Sequence, residues 1–155
     1  MTFKCQQKAL INFLSGNYKK YLSDSFPEPE ITDEFLDFDR FKNDFTLFVD
    51  FARIDFRQSA YQDDCGDSEH LSLTVFLVRR NSESKTLRDD VLDAAWAFYK
   101  MVKENPGLGI AQNTVIDGID FYNYVEGTKY LVCSEINLSL DVEIQTIQVE
   151  AENET

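Results

Sequence analysis

Positive charge is scarce in this chain. Fifteen Lys and Arg face 28 Asp and Glu over 155 residues, a net charge of −13. A sequence-independent duplex binder needs a basic patch to displace counterions; here the basic residues are scattered, which argues against tight DNA wrapping. Long apolar runs are missing too, so no membrane-spanning helix is expected. The opening stretch MTFKCQQKALINFLSGNYKK lacks the uninterrupted apolar segment and small-residue cleavage site of a secretory signal, and a cytosolic protein is expected. Cysteine is limited to Cys5, Cys65 and Cys133, an odd number spaced far apart, which argues against a disulfide framework. Cys133 is expected to pack as a small apolar residue in a strand. The sequon-like Asn137-Leu138-Ser139 falls in that same strand and carries no weight without a secretory signal.

Residues that carry chemistry are equally sparse. His70 is the one histidine, so it is the sole imidazole base available to a Ser or Cys nucleophile. Cys65 lies nearby, but the intervening Gly66-Asp67-Ser68-Glu69 reads as loop and orients neither group. Gly107-Leu108-Gly109 lacks the third glycine and the following lysine of a phosphate-cradling loop. The cysteines and His70 form no paired zinc spacing. Asp63, Asp64, Asp67 and Glu69 could gather a hard cation, but Cys65 stands where an oxygen ligand is needed and Ser68 where a glycine is. The cluster reads instead as a solvated hairpin tip. Carboxylates are so abundant that pairing any two as acid and base has no force. No catalytic, cofactor or metal residue is assigned, and a non-enzymatic protein is expected.

What is present is a core. Apolar residues make up 43% and aromatics 14%, too much for a disordered chain. The length suits a single domain over 1–150, with 151–155 a frayed tail. Its organising stretch is Tyr130 to Ile144, YLVCSEINLSLDVEI, where every even position except Ser134 is apolar and the odd positions turn polar from Glu135. A period of two marks a strand with one face on a core. The length, roughly two to three times the usual, predicts strong twist or a bulge. A change of phase after Gln145 predicts a slip or a bulge there.

Residues 3–22 carry Leu10, Phe13, Leu14, Tyr18, Tyr21 and Leu22 at helical spacing, with Gly16 as a weak point. Pro27 and Pro29 make 23–30 an extended breaker. Residues 31–44, with Phe35, Leu36, Phe38 and Phe41, fit a short helix or an irregular crossing. Phe45 to Phe56 alternates and then changes phase at Ala52, and 71–80 alternates again, giving two strands joined as a hairpin with a long polar tip. From Thr86, a candidate cap, Val91, Ala94, Ala95, Phe98 and Val102 form a helical stripe that ends at Asn105-Pro106-Gly107. Trp96 lies off that stripe, on the helix flank or at a subunit contact. Residues 114–125 read as a strand with an irregularity at Gly118, and 126–128 as a tight connector. The order helix, strand, strand, helix, strand, strand implies an α+β fold, an antiparallel sheet packed against amphipathic helices.

This order, with the helix TLRDDVLDAAWAFYKMVKENP, the segment Asp117-Gly118-Ile119-Asp120 and the long strand YLVCSEINLSLDVEI, resembles the tail-terminator (tail-completion) and head–tail joining proteins of long-tailed bacteriophages. The resemblance spans roughly residues 1–147 and is one of element order and pattern, without a diagnostic motif. It implies a structural protein without catalytic residues. Such a protein forms a homo-oligomeric ring, commonly a hexamer, caps the tail tube and offers a surface to the neck, first in the bacterial cytoplasm and then in the virion. An acidic lumen would repel DNA, though solubility alone also accounts for acidity. Partner contacts are then expected in the polar segment 57–70, at Asp63, Asp64, Asp67 and Glu69, and at Arg79 and Arg80, which would meet an acidic neighbour. Two other readings stay open: a small acidic enzyme or ligand-binding module with a pocket between sheet and helices, and a host-side interaction protein on the same scaffold.

Overall fold

The first helix, α1 (Phe3–Asn17), starts where Thr2 accepts a hydrogen bond from the Cys5 N–H at 3.1 Å. It buries Gln6, Leu10 and Leu14, four residues apart along one face. The chain passes Gly16 and tightens into a 3₁₀ turn at Tyr18–Tyr21. The computed structural model describes residues 2–33, 44–58, 67–81, 84–111, 113–126 and 129–144, with the backbone alone at several strand and helix ends. The segment of Phe35, Leu36, Phe38 and Phe41, the phase change after Gln145 and the tail 151–155 lie outside the described residues.

Among the described residues, five strands follow the order β1-β2-β3-β5-β4. They are β1 (Glu30–Thr32), β2 (Phe45–Gln58), β3 (Asp67–Asn81), β4 (Asn113–Glu126) and β5 (Lys129–Ile144). All neighbours are antiparallel except β1, which runs parallel to β2 through Glu30, Ile31 and Thr32. The sheet is therefore mixed rather than wholly antiparallel, and β1 is a strand where the sequence suggested the end of an extended link at Glu30 and a short helix or irregular crossing from Ile31. The fold is α+β, with one helix more central than the other: α2 (Ser84–Glu104) lies across β3 and β5. It begins two residues before Thr86, which sits inside the first turn rather than capping it.

The expected alternation of β5 is realised. Val132, Ser134, Ile136, Leu138, Leu140 and Val142 are all buried, on the side that meets the helices. Rows of paired residues cross that face, such as Val49, Val75, Ile136 and Ile119, or Phe51, Leu73, Leu138 and Ile116. Each fully buried aliphatic side chain there contributes about 1.5–3 kcal/mol. Leu10, Leu14, Tyr18, Phe98 and Met101 fill the space between the layers in one continuous core. Of the strong twist or bulge expected in β5, the bulge is absent among the described residues. The extra residues sit in other strands, at Ala52 in β2 and at Asp117 in β4, as the phase change at Ala52 and the irregularity at Gly118 foretold.

Ser134 is the polar exception on the inner face. It lies between Leu77 and Phe121, fully buried, and its hydroxyl has no partner among the described residues. An unsatisfied buried hydroxyl is a cost, so Ser134→Ala is expected to be neutral or to stabilise by about 1 kcal/mol. Urea midpoints of the two proteins decide it; a loss of stability on substitution would mean that the hydroxyl is bonded.

Candidate interaction surface

The sheet face opposite the helices divides into two halves. Towards one end it is apolar: Phe48 stacks on Phe76 with ring centroids 5.8 Å apart, and Val78, Leu131 and Cys133 are buried together. Burial, with Glu135 nearby, pushes the Cys133 thiol up to about 12, so it packs as an inert apolar group. Towards the other end the face is polar. His70 Nδ1 lies 2.8 Å from Asp141 Oδ1, and Asp55 is its cross-strand neighbour on the other side. Arg53 Nε in turn donates to Asp55 Oδ1 at 2.8 Å. His70 is thus held on a sheet face between carboxylates. Cys65, its candidate partner in sequence, lies outside the described residues. Among the described residues, no group of three or more His, Cys, Asp or Glu side chains is placed to hold a metal ion.

The residues expected at a partner surface are scattered by the structure. Asp63 and Asp64 lie outside the described residues, and of Asp67 only the backbone is described. The polar segment 57–70 is shorter than expected, because Arg57 and Gln58 belong to β2, and β3 already begins at Asp67. Glu69 is consequently a strand residue on the inner face, 3% exposed, and accepts a hydrogen bond from Gln6 Nε2 at 2.8 Å. Arg79 is also interior, 7% exposed. Its Nη1 donates to the Asp44 carbonyl and its Nη2 to Asp90 Oδ2, each at 3.0 Å, and the guanidinium sits 5.9 Å from the ring centroids of Phe26 and Phe45. The acidic neighbour of Arg79 thus belongs to its own chain. The Arg80 side chain faces the other way, half-buried, while its backbone N–H donates to the same Asp44 carbonyl at 3.0 Å.

Two surfaces emerge that composition did not single out. The first is the edge formed by β4, 14 residues long and paired only with β5 among the described residues. It exposes Val115 (49%) and Tyr122 (39%) beside Asp117 and Asp120. The second is the outward side of α2, where Leu92 is 42% and Trp96 61% exposed. No family model matches this chain, and no curated protein matches it. The physical signal for a site is therefore exposed apolar area, which marks contact surfaces when it is contiguous.

Enclosed space offers less. The gap between sheet and helices, where a ligand-binding module would carry its pocket, is closed by Tyr18, Phe98 and Met101, all fully buried. A small cleft of about 140 Å³ lies instead on the flank, between Ser15 and Lys19 of the first helical segment and Glu28, Pro29 and Ile31. It is smaller than the roughly 300 Å³ or more of a typical ligand pocket. No helix among the described residues is long and apolar enough to cross a membrane.

Proposed function

We propose that this chain is a structural assembly protein of a long-tailed phage or prophage, a tail terminator or neck component. It forms a homo-oligomeric ring that caps the tail tube and joins it to the head. The observation that carries this reading is the β4 edge, paired only with β5 among the described residues, with its exposed Val115 and Tyr122. Exposed apolar side chains along a strand edge are a ready contact for a neighbouring subunit. The resemblance in element order read from the sequence, helix, strand, strand, helix, strand, strand, supports the same reading; the short parallel β1 is an addition to that order. The net charge of −13 fits a channel through which DNA slides without sticking. In this role the chain acts by shape and contact rather than by catalysis, in the bacterial cytoplasm and then in the virion.

Light scattering of the purified protein across a concentration series tests the reading. A discrete ring-sized mass is expected, either for the protein alone or on addition of a tail-tube protein. A single chain under both conditions would sink the proposal.

A further inference from the structure

The outward side of α2 is built in a way that its own fold does not require. Leu92, Trp96 and Tyr99 follow one another at spacings of four and three, so they share a face. The Trp96 and Tyr99 rings stack, with centroids 5.5 Å apart and planes at 14°, and Lys103 Nζ lies 5.4 Å from the Tyr99 centroid. Lys100 stands one turn beyond Trp96, exposed. The C-terminal end of the stripe is therefore apolar and positive. Glu104, the acid beside it, accepts a hydrogen bond from the Tyr21 hydroxyl and keeps its charge, so two lysines stand against one acid at this end. The acids of the N-terminal end, Asp89 and Asp93, lie one to two turns before Trp96, away from the lysines.

A partner for such a stripe must carry acids next to apolar groups, and the β4 edge of this same chain does. Val115 and Tyr122 supply the apolar part, Asp117 and Asp120 the charge. The edge is also guarded against simple strand addition. Asp117 is the extra residue of the bulge, and a bulge and edge charges both oppose continuous backbone pairing. Contact through side chains, with a helix face lying against the edge, suits it better than a sheet running on into the next molecule.

We propose that the α2 stripe of one copy docks on the β4 edge of the next. Trp96 meets Val115, and Lys100 and Lys103, further along the helix, meet Asp117 and Asp120, further along the strand. This rests on the ring reading and names the contact that closes it. The two surfaces differ, so the contact is head-to-tail, the kind that generates rings when the rotation closes.

A charge exchange tests it. One variant carries Lys100→Glu with Lys103→Glu, the other Asp117→Lys with Asp120→Lys, and circular dichroism confirms that both fold. Each variant alone is expected to need at least tenfold more protein to assemble, because like charges then face each other. An equal mixture is expected to recover the wild-type mass, since every contact in an alternating ring again joins opposite charges. Trp96→Ala, placed at the centre of the contact, is expected to weaken assembly at least tenfold. If both charge variants assemble like the wild type, the contact is wrong while the ring reading stands. Impaired variants whose mixture stays unassembled would refute the pairing. A wild-type chain that remains single at every concentration would refute contact between copies in solution, leaving capping of the tube to the separate test with tube protein.

Discussion

Replacing Arg79 with methionine is expected to remove about 3 kcal/mol of folding stability. The arginine joins three parts of the chain: the start of β2 through the Asp44 carbonyl, the second turn of α2 through Asp90, and the 23–30 link through Phe26. Methionine keeps much of the apolar stem between Phe26 and Phe45 but leaves Asp90 without its cation. Breaking one side of a buried pair costs about 3–5 kcal/mol, most of it for the charge left behind. The lower end applies because the Asp90 side chain is 31% exposed and can turn to water. Arg79→Lys is expected to lose less, yet more than a surface exchange would, since an ammonium cannot serve Asp44 and Asp90 with one planar fork. Urea unfolding of Arg79→Met, Asp90→Asn and the double variant measures the coupling, expected to be about 1 kcal/mol or more. Additive losses would show that the pair contributes nothing.

Phe98→Ala is expected to cost about 3–5 kcal/mol, the range for an aromatic side chain deleted from a closed core. Phe98 is fully buried on α2 and meets Tyr18 edge-on, with centroids 5.7 Å apart. Tyr18 in turn donates to the Ala94 carbonyl at 2.8 Å and meets Phe45 at 6.2 Å, so one cluster ties the 3₁₀ turn, α2 and β2 together. Tyr18→Phe keeps the ring and is expected to cost only about 1 kcal/mol. It should also change the response to alkali. Burial holds the Tyr18 hydroxyl far above its ordinary value of 10.0, so the folded chain keeps a proton that the unfolded chain releases. Stability therefore falls as pH rises above 10, and that part of the fall is absent in Tyr18→Phe. Cys133, raised from 9.0 to about 12, starts a similar loss one pH unit earlier and does so in both proteins. Urea midpoints between about pH 8 and pH 11 separate the two contributions; identical slopes would refute the role of Tyr18.

The strands were legible because alternation is a local property. Ala52 and Gly118 betrayed their irregularities for the same reason: a residue too many in one strand shifts every later side chain to the other face. The three residues of β1 carry no such pattern, and only pairing with Thr46, Leu47 and Phe48 makes them a strand. Glu69 and Arg79 show what composition hid. A charge reads as surface by default. Yet both share the odd phase of Leu71, Leu73, Val75 and Leu77, and that register alone turns them inward. The α2 stripe was half visible, with Trp96 recognisably off the core side. The β4 edge was not, because the strand order that leaves β4 outermost depends on β3 pairing with β5, a choice that no local pattern encodes.

That β3–β5 seam also governs how the chain reaches its fold. The β2–β3 and β4–β5 pairs join sequence neighbours, so each hairpin can form by itself. The seam brings Asn81 to Tyr130, roughly 50 residues apart, and α2 must settle across it at the same time. Long-range closure of this kind places folding in the range of about milliseconds to seconds. During that interval β3 and β5 each present a bare apolar edge to every other half-folded chain. Mutual repulsion among chains of charge −13 then has a second use, keeping unfinished molecules apart until the seam has shut.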